Sequence, residues 1–150
     1  MLLLVIIVYY LIHFRHELWH PRCYHHVVNG GTMKVAVTVW GERISPVFDS
    51  SRRLLIARIE DARVTERSYL IFEPHRPSHL TNILTALDVK VLICGAVSQA
   101  PADVIVAGGI TLIPFIAGQV DRMLAAYAKG QSMDPDFVMP GCHADRANHI

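Results

Sequence analysis

Cys94 is the residue whose position most strongly suggests chemistry. It ends the apolar run VLIC (91–94) and is followed by Gly95 and then by Ser98, where a helical pattern begins. A thiol at the end of a strand and just before a helix lies near free N–H groups and the positive end of the helix dipole. Both lower the pKa of a thiol and favour an anionic ligand. A cysteine that ends an apolar run is equally typical of a residue that only fills a core, so position alone leaves both interpretations open.

Other histidines and cysteines supply further candidate metal ligands. His75 and His79 are four residues apart at the start of a predicted helix, where they could share a face. Cys142 and His143 are adjacent near the carboxyl terminus and could reach over a site. Alternatively, His75 and His79 belong to a solvated turn, and Cys142 and His143 belong to a tail that binds no ligand. An N-terminal set could bind a transition metal adventitiously but matches no zinc spacing: His13, His16, His20, Cys23, His25 and His26.

Several function classes are weakly supported or excluded by the sequence. A formal net charge of +1 provides no clustered basic face for nucleic acid. The chain contains neither a phosphate-binding loop of the form GxxxxGK[ST] nor a nucleophile elbow GxSxG. Glu42 and Asp49 could hold a divalent ion for hydrolysis, but a third acidic ligand at a strand end is missing. The three cysteines are too few and too scattered for a disulfide framework, which predicts reduced thiols and a cytoplasmic location.

The composition divides the chain into three parts. Residues 33–131 form one predicted domain, preceded by an extension (1–32) and followed by a flexible tail (132–150). The apolar run from Leu2 to Ile12 is short of the roughly 20 residues that span a bilayer, and it lacks the flanks of a signal peptide. Because Met33 directly precedes a strand pattern, the extension is interpreted as a misassigned start. The alternative is a segment that touches a membrane through residues 1–12.

Hydrophobic periodicity predicts an α/β fold for the domain. Val35, Val37 and Val39 alternate with less apolar residues, as in a strand. Further strands are predicted at 54–60, 67–73, 89–94 and 110–115, with a hairpin link at 61–66, and helices at 77–87, 98–107 and 119–129. This order requires a mixed sheet of about five strands covered by helices. If the first strand is central, a crevice at the carboxyl ends of the strands is lined by residues 40–49, 94–98 and 115–118.

Two stretches resemble a known family. They are similar to the dinitrogenase iron–molybdenum cofactor biosynthesis family of the NifX/NifB C-terminal type, and their sequences are MKVAVTVWGERISPVFDSSRRLLIARIED (33–61) and VLICGAVSQAPADVIVAGGITLIPFIAGQVDRMLAAYAKGQ (91–131). The resemblance covers about residues 33–131. It implies a three-layer α/β/α sandwich of the ribonuclease H-like type without enzymatic activity. One departure is the turn GAVS (95–98), which replaces a more glycine-rich turn.

The resemblance also implies a function and a set of site residues. The function is that of a non-enzymatic carrier for iron–sulfur or iron–molybdenum cluster precursors, with metallocluster assembly or recipient proteins as partners. Since such clusters are anionic and held by thiolates, the expected metal ligands are Cys94, Cys142, His143, His75 and His79. Arg43, Ser45, Cys94 and Gly95 are the expected cofactor-binding residues of the two turns. The alternative is a regulatory or protein-interaction module whose crevice binds an anion but no cluster.

Overall fold

The central strand of the sheet is formed by the alternating valines at the start of the domain. The computed structural model of the 150-residue chain describes residues 32–131 and 137–139. The strands are β1 (Met33–Trp40), β2 (Arg43–Ile44), β3 (Arg53–Glu60), β4 (Arg63–Ile71), β5 (Val91–Ile93) and β6 (Thr111–Ile113). The helices are α1 (Pro77–Ala86), α2 (Gln99–Ala107) and α3 (Val120–Ala128), with a 3-10 turn at Phe48–Ser50.

The sheet is mixed and has the strand order β4-β3-β1-β5-β6, with the short β2 paired to the end of β1. β1 is antiparallel to β3 and parallel to β5, and β5 is parallel to β6. β1 therefore lies at the centre of the sheet, which is the condition under which a crevice at the strand ends was expected. The carboxyl ends of β1, β5 and β6 meet at one edge, where a functional site was expected.

Each face of the sheet is covered by helices because successive strand residues point to opposite sides. Val35, Val37 and Val39 belong to one buried cluster with the apolar side of α3. Ala36, with Leu54 and Leu92 of the flanking strands, belongs to a second cluster with α1 and α2. A mixed α/β fold is thus shown, with one helix on one face and two on the other among the described residues. The name ribonuclease H-like stays a prediction.

The hairpin between β3 and β4 is tighter than the sequence suggested. A link at 61–66 was predicted, but the turn consists only of Asp61 and Ala62, both with positive φ (50° and 61°). β4 therefore begins at Arg63 rather than at 67. The first half of β4 looks like a polar linker in the sequence because this strand is at the edge of the sheet and is largely exposed.

Three residues of the predicted tail, 137–139, belong to the folded domain. Val138 is buried and forms an antiparallel bridge with Ile116. The Ala117 N–H donates to the Phe137 carbonyl (2.7 Å), and the Met139 N–H donates to the Phe115 carbonyl (2.8 Å). This short strand is next to the carboxyl end of β6.

The N-terminal expectations concern residues that lie almost entirely outside the described part of the chain, which begins at Thr32. Membrane contact through residues 1–12 and the interpretation of Met33 as the start therefore stay predictions. Within residues 32–131 and 137–139, none of the helices has the length and apolar character needed to cross a bilayer.

Candidate functional site

The loop that follows β1 crosses the carboxyl ends of β5 and β6 and is bonded to both. The Ala96 N–H donates to the Pro46 carbonyl (2.8 Å), and the Phe48 N–H donates to the Ala96 carbonyl (2.7 Å). The Ile44 N–H donates to the Gly118 carbonyl (3.0 Å). The three segments predicted to line a crevice are thus brought together, but they bond directly to one another, so the loop occupies the space in which a ligand was expected.

Gly95 explains how closely the loop approaches the end of β5. A Cβ atom at this position would lie 2.3 Å from the Ser45 carbonyl oxygen and 2.4 Å from that of Pro46. Only glycine leaves room for the backbone of the loop at this distance. The glycine of this turn is therefore required for packing, whatever further role it has.

Two residues of the first turn, Ser45 and Phe48, are buried beneath the loop. Ser45 is buried, and its hydroxyl donates to the Val47 carbonyl (3.2 Å). Phe48 is fully buried and packs against Phe72, with ring centroids 5.6 Å apart. Arg43 differs because it is exposed. Of the two cofactor-binding residues predicted in this turn, Arg43 alone presents its side chain to solvent.

Cys94 is in the second buried cluster and has no solvent exposure (0%). Its N–H donates to the Ile113 carbonyl and its carbonyl accepts from the Ile116 N–H, both at 3.0 Å. Burial in this apolar environment, and secondarily the negative charge of Asp49, raise the pKa of the Cys94 thiol far above its ordinary value. The prediction of a lowered pKa is therefore wrong.

The N-terminus of α2 does not stabilise a thiolate because a carboxylate already occupies it. The Ser98 N–H donates to Asp49 Oδ2 (3.2 Å), and the Ser98 hydroxyl donates to Asp49 Oδ1 (2.7 Å). Asp49 thus supplies the negative charge that the helix dipole favours. An anionic ligand would have to displace this side chain, which comes from 49 residues earlier in the sequence.

The two predicted histidine ligands that the structure describes, His75 and His79, form no metal site with Cys94. His75 is exposed, and its Nε2 lies 3.7 Å from Glu73 Oε2, while His79 is exposed near the start of α1. Among residues 32–131 and 137–139, His, Cys, Asp and Glu side chains form no group of three that could hold a metal ion. Cys142 and His143 lie outside the described residues, so their predicted role is open.

The two acidic residues considered for hydrolysis both help to fix the loop, Asp49 through its carboxylate and Glu42 through its backbone carbonyl. The Asp49 carboxylate binds Ser98, and the Glu42 carbonyl accepts from the Val120 N–H (3.0 Å), which ties the loop to the start of α3. A surface cavity of about 450 Å³ is at the opposite edge of the sheet. Its lining contains none of the predicted site residues: Thr32, Met33, Lys34, Arg58, Asp88 and Lys90.

The domain is similar to known proteins in sequence and in fold. The family model described as dinitrogenase iron-molybdenum cofactor matches residues 32–130. The chain belongs to this family. Membership connects the domain with the iron–molybdenum cofactor of dinitrogenase and confirms the resemblance of the two stretches. No curated protein is significantly similar to the chain.

Solved structures of similar proteins support the fold of the family. The protein PH0822 superposes with a TM-score of 0.60 and 18% identity, over 69% of this chain and 96% of that one. A protein of Methanocaldococcus jannaschii, provisionally described as a dinitrogenase, gives a TM-score of 0.55 and 21% identity over 67% and 92% of the two chains. A Thermotoga protein, provisionally described as NifB, gives 0.52 and 18% over 66% and 90%. At these identities the likeness shows the fold alone.

Two features of this family member were not visible in the sequence. The bond between Asp49 and Ser98 joins residues 49 positions apart and has no local signature. The pairing of 137–139 with the end of β6 was missed because these residues follow a segment without apolar periodicity. The signal in the sequence was a short apolar stretch, Phe137, Val138 and Met139, within a polar tail.

Proposed function

We propose that the chain is a non-enzymatic carrier for iron–sulfur or iron–molybdenum cluster precursors in dinitrogenase cofactor assembly. Membership of the family supports the pathway. The single structural observation that supports a carrier is the docking of 137–139 beside the end of β6, because it anchors a segment whose next residues include a cysteine and a histidine. The partners would be the assembly or recipient proteins that deliver and accept the cluster.

The next soft donors in the sequence, Cys142 and His143, follow the anchored segment by three and four residues. Met139 bonds to Phe115, and Phe115 in turn donates its N–H to the Gly95 carbonyl (3.0 Å). Cys142 follows three residues later, and three residues span at most about 11 Å. We therefore assign Cys142 and His143 as the first ligands, with exposed His75 and His79 as further candidates.

We do not assign Cys94 as a metal ligand. Its thiol is buried and protonated, and thiolate rather than thiol binds metal. A role as ligand would require the loop at 45–48 to leave the end of β5, which breaks its hydrogen bonds to Ala96. We propose that Cys94 is a core residue and that a cluster is held transiently by the tail, with a small thiol or the recipient protein completing its coordination.

Anaerobic reconstitution with ferrous iron and sulfide, in the presence of a small thiol, tests this assignment. We expect visible charge-transfer absorbance and bound iron in the wild type and in Cys94→Ala, and their loss in Cys142→Ser. Cys23→Ser is the matched control for adventitious binding by the N-terminal histidine set. Retention in Cys142→Ser would refute the assignment, and loss in a folded Cys94→Ala would restore Cys94 as a ligand.

A second function is favoured by the closure of the loop over the strand ends. If no cluster binds, the domain is a regulatory or protein-interaction module, consistent with the direct bonding of the three segments and with the occupation of the α2 N-terminus by Asp49. This candidate predicts a colourless, iron-free protein after reconstitution. The same experiment therefore separates the two functions.

A further inference from the structure

The second half of β4, Ser68–Ile71, is largely exposed and has no role in the proposed function. Ile71 is 84% exposed and Tyr69 is 51% exposed, although both are large apolar side chains. They lie on the same side of the strand, opposite Arg53 and Leu55 of β3. Within the described residues β4 is the last strand of the sheet on this side. Its outer backbone edge therefore lacks a partner strand there.

Among the described residues, α3 is the helix on this face, and it leaves these side chains uncovered. α3 packs over β1, β5 and β6, and its contact with β4 includes an ion pair between Asp121 and Arg67. Tyr69 and Ile71 lie further along β4, towards the carboxyl end of β1. The uncovered area consists of Arg53, Tyr69 and Ile71, and we call it the β4 patch.

The two halves of β4 differ in their protection against pairing. The first half carries Arg63, Glu66 and Arg67, and a register shift opposite Arg58 and Ile59 marks a bulge. Charges and bulges are the usual means by which edge strands avoid pairing. The second half, Ser68–Ile71, is uncharged and pairs regularly with β3. It therefore keeps the geometry that accepts an added strand.

Charge indicates the chemistry of the partner. The Arg53 guanidinium lies 4.7 Å from the centroid of the Tyr69 ring. In the part of the chain that the structure describes, neither Arg53 nor its exposed neighbour Arg52 forms an ion pair, whereas Arg58, Arg67 and Arg76 do. Arginine and tyrosine beside an exposed aliphatic residue are typical of the centre of a protein interface.

We infer that Ser68–Ile71 binds an extended segment of a partner protein that carries apolar residues next to a carboxylate. The segment adds a strand to β4, its apolar side chains cover Tyr69 and Ile71, and its carboxylate contacts Arg53. This interaction goes beyond the carriage of a cluster. It does not depend on a bound metal.

The test uses the full chain, labelled with ¹⁵N and free of iron, and the blocked peptide acetyl-TVTVTET-amide as probe. In this peptide, threonines alternate with two valines and one glutamate. When the peptide is extended, the two valines and the glutamate lie on one side and face the β4 patch. We expect amide shifts at 68–71 on titration. We expect about tenfold weaker binding to Ile71→Thr, since the threonine buries less apolar surface, and weaker binding to Arg53→Gln. Val104→Thr, an exposed apolar position on α2, is the matched control and should bind like the wild type.

Several results would overturn the inference. Equal binding of acetyl-TVTVTKT-amide would contradict the role of Arg53, and the absence of shifts at millimolar peptide would contradict strand addition. Concentration-dependent broadening at 68–71 without peptide would assign the patch to a second copy of the chain. Slow hydrogen exchange in the free protein of those amides in 68–71 that point away from β3 would assign the patch to a segment of the chain itself. If the protein cosediments with anionic vesicles and Ile71→Thr abolishes this cosedimentation, the β4 patch binds a membrane instead.

Discussion

Replacing Gly95 by alanine should destabilise the domain more than any ordinary Gly→Ala change. The new Cβ atom would lie 2.3 Å from the Ser45 oxygen and 2.4 Å from the Pro46 oxygen, whereas ordinary contacts of such an atom begin near 3.4 Å. The loop would have to move by about 1 Å, and both obstructing atoms belong to the backbone, which a change of rotamer cannot displace.

The expected cost follows from what the movement would break. The hydrogen bonds between Ala96 and Pro46 (2.8 Å) and between Phe48 and Ala96 (2.7 Å) are on either side of the clash. Each contributes about 1 kcal/mol. Phe48 is fully buried and would lose part of its burial as the loop shifts. We therefore expect Gly95→Ala to lower the free energy of unfolding by about 3–5 kcal/mol.

Urea unfolding at 25 °C measures this loss as a shift of the transition midpoint. Gly41→Ala is the matched control, because Gly41 has φ +62° but nothing lies within 4 Å of an added Cβ. It should cost about 1 kcal/mol from backbone strain alone. If Gly95→Ala costs no more than Gly41→Ala, the loop moves easily. The closed arrangement over the strand ends would then be no obstacle to a ligand.

Three further outcomes are expected. Ala62→Gly should stabilise the domain by about 0.5–1 kcal/mol in urea unfolding, because Ala62 has φ 61° in the hairpin and glycine relieves this strain; a loss of stability would contradict it. The buried Cys94 thiol stays protonated in the folded state but ionises in the unfolded state above the ordinary pKa of 9.0. Above pH 9 the free energy of unfolding of the wild type should therefore fall by about 1.4 kcal/mol per pH unit relative to that of Cys94→Ala. Parallel profiles of unfolding free energy against pH for the two proteins would refute the burial of this thiol. Gly108→Ala should cost about 1–3 kcal/mol by overpacking, since its Cβ would lie 2.1 Å from Thr81 Cγ2; adding Thr81→Ser, which removes that methyl group, should recover most of the loss in a double-mutant cycle.

Much of the fold could be predicted from local pattern. The alternation of Val35, Val37 and Val39 correctly indicated a strand. This strand is β1, which lies in the middle of the sheet. The helix predicted at 119–129 is α3, whose buried residues Val120, Met123, Leu124 and Tyr127 recur at helical spacing. These predictions succeed because the periods of strands and helices are properties of a few consecutive residues.

The hairpin shows where this local reasoning fails. The residues after Ala62 are polar and were interpreted as a linker, yet they form the first half of β4. Because little of this edge strand is buried, its polar and apolar residues do not have to alternate regularly. Polarity therefore indicated exposure correctly but gave the wrong secondary structure.

The amino-acid sequence by itself determined the order of strands and helices, the membership of the family and the position of Cys94 at the end of β5. The tertiary structure decided what this position means. The loop from 41 to 51 closes over the strand ends, and Asp49 occupies the helix N-terminus that was expected to activate the thiol. The reason is physical: a pKa depends on burial and on charges brought near in space, and neither is contained in the spacing of neighbouring residues.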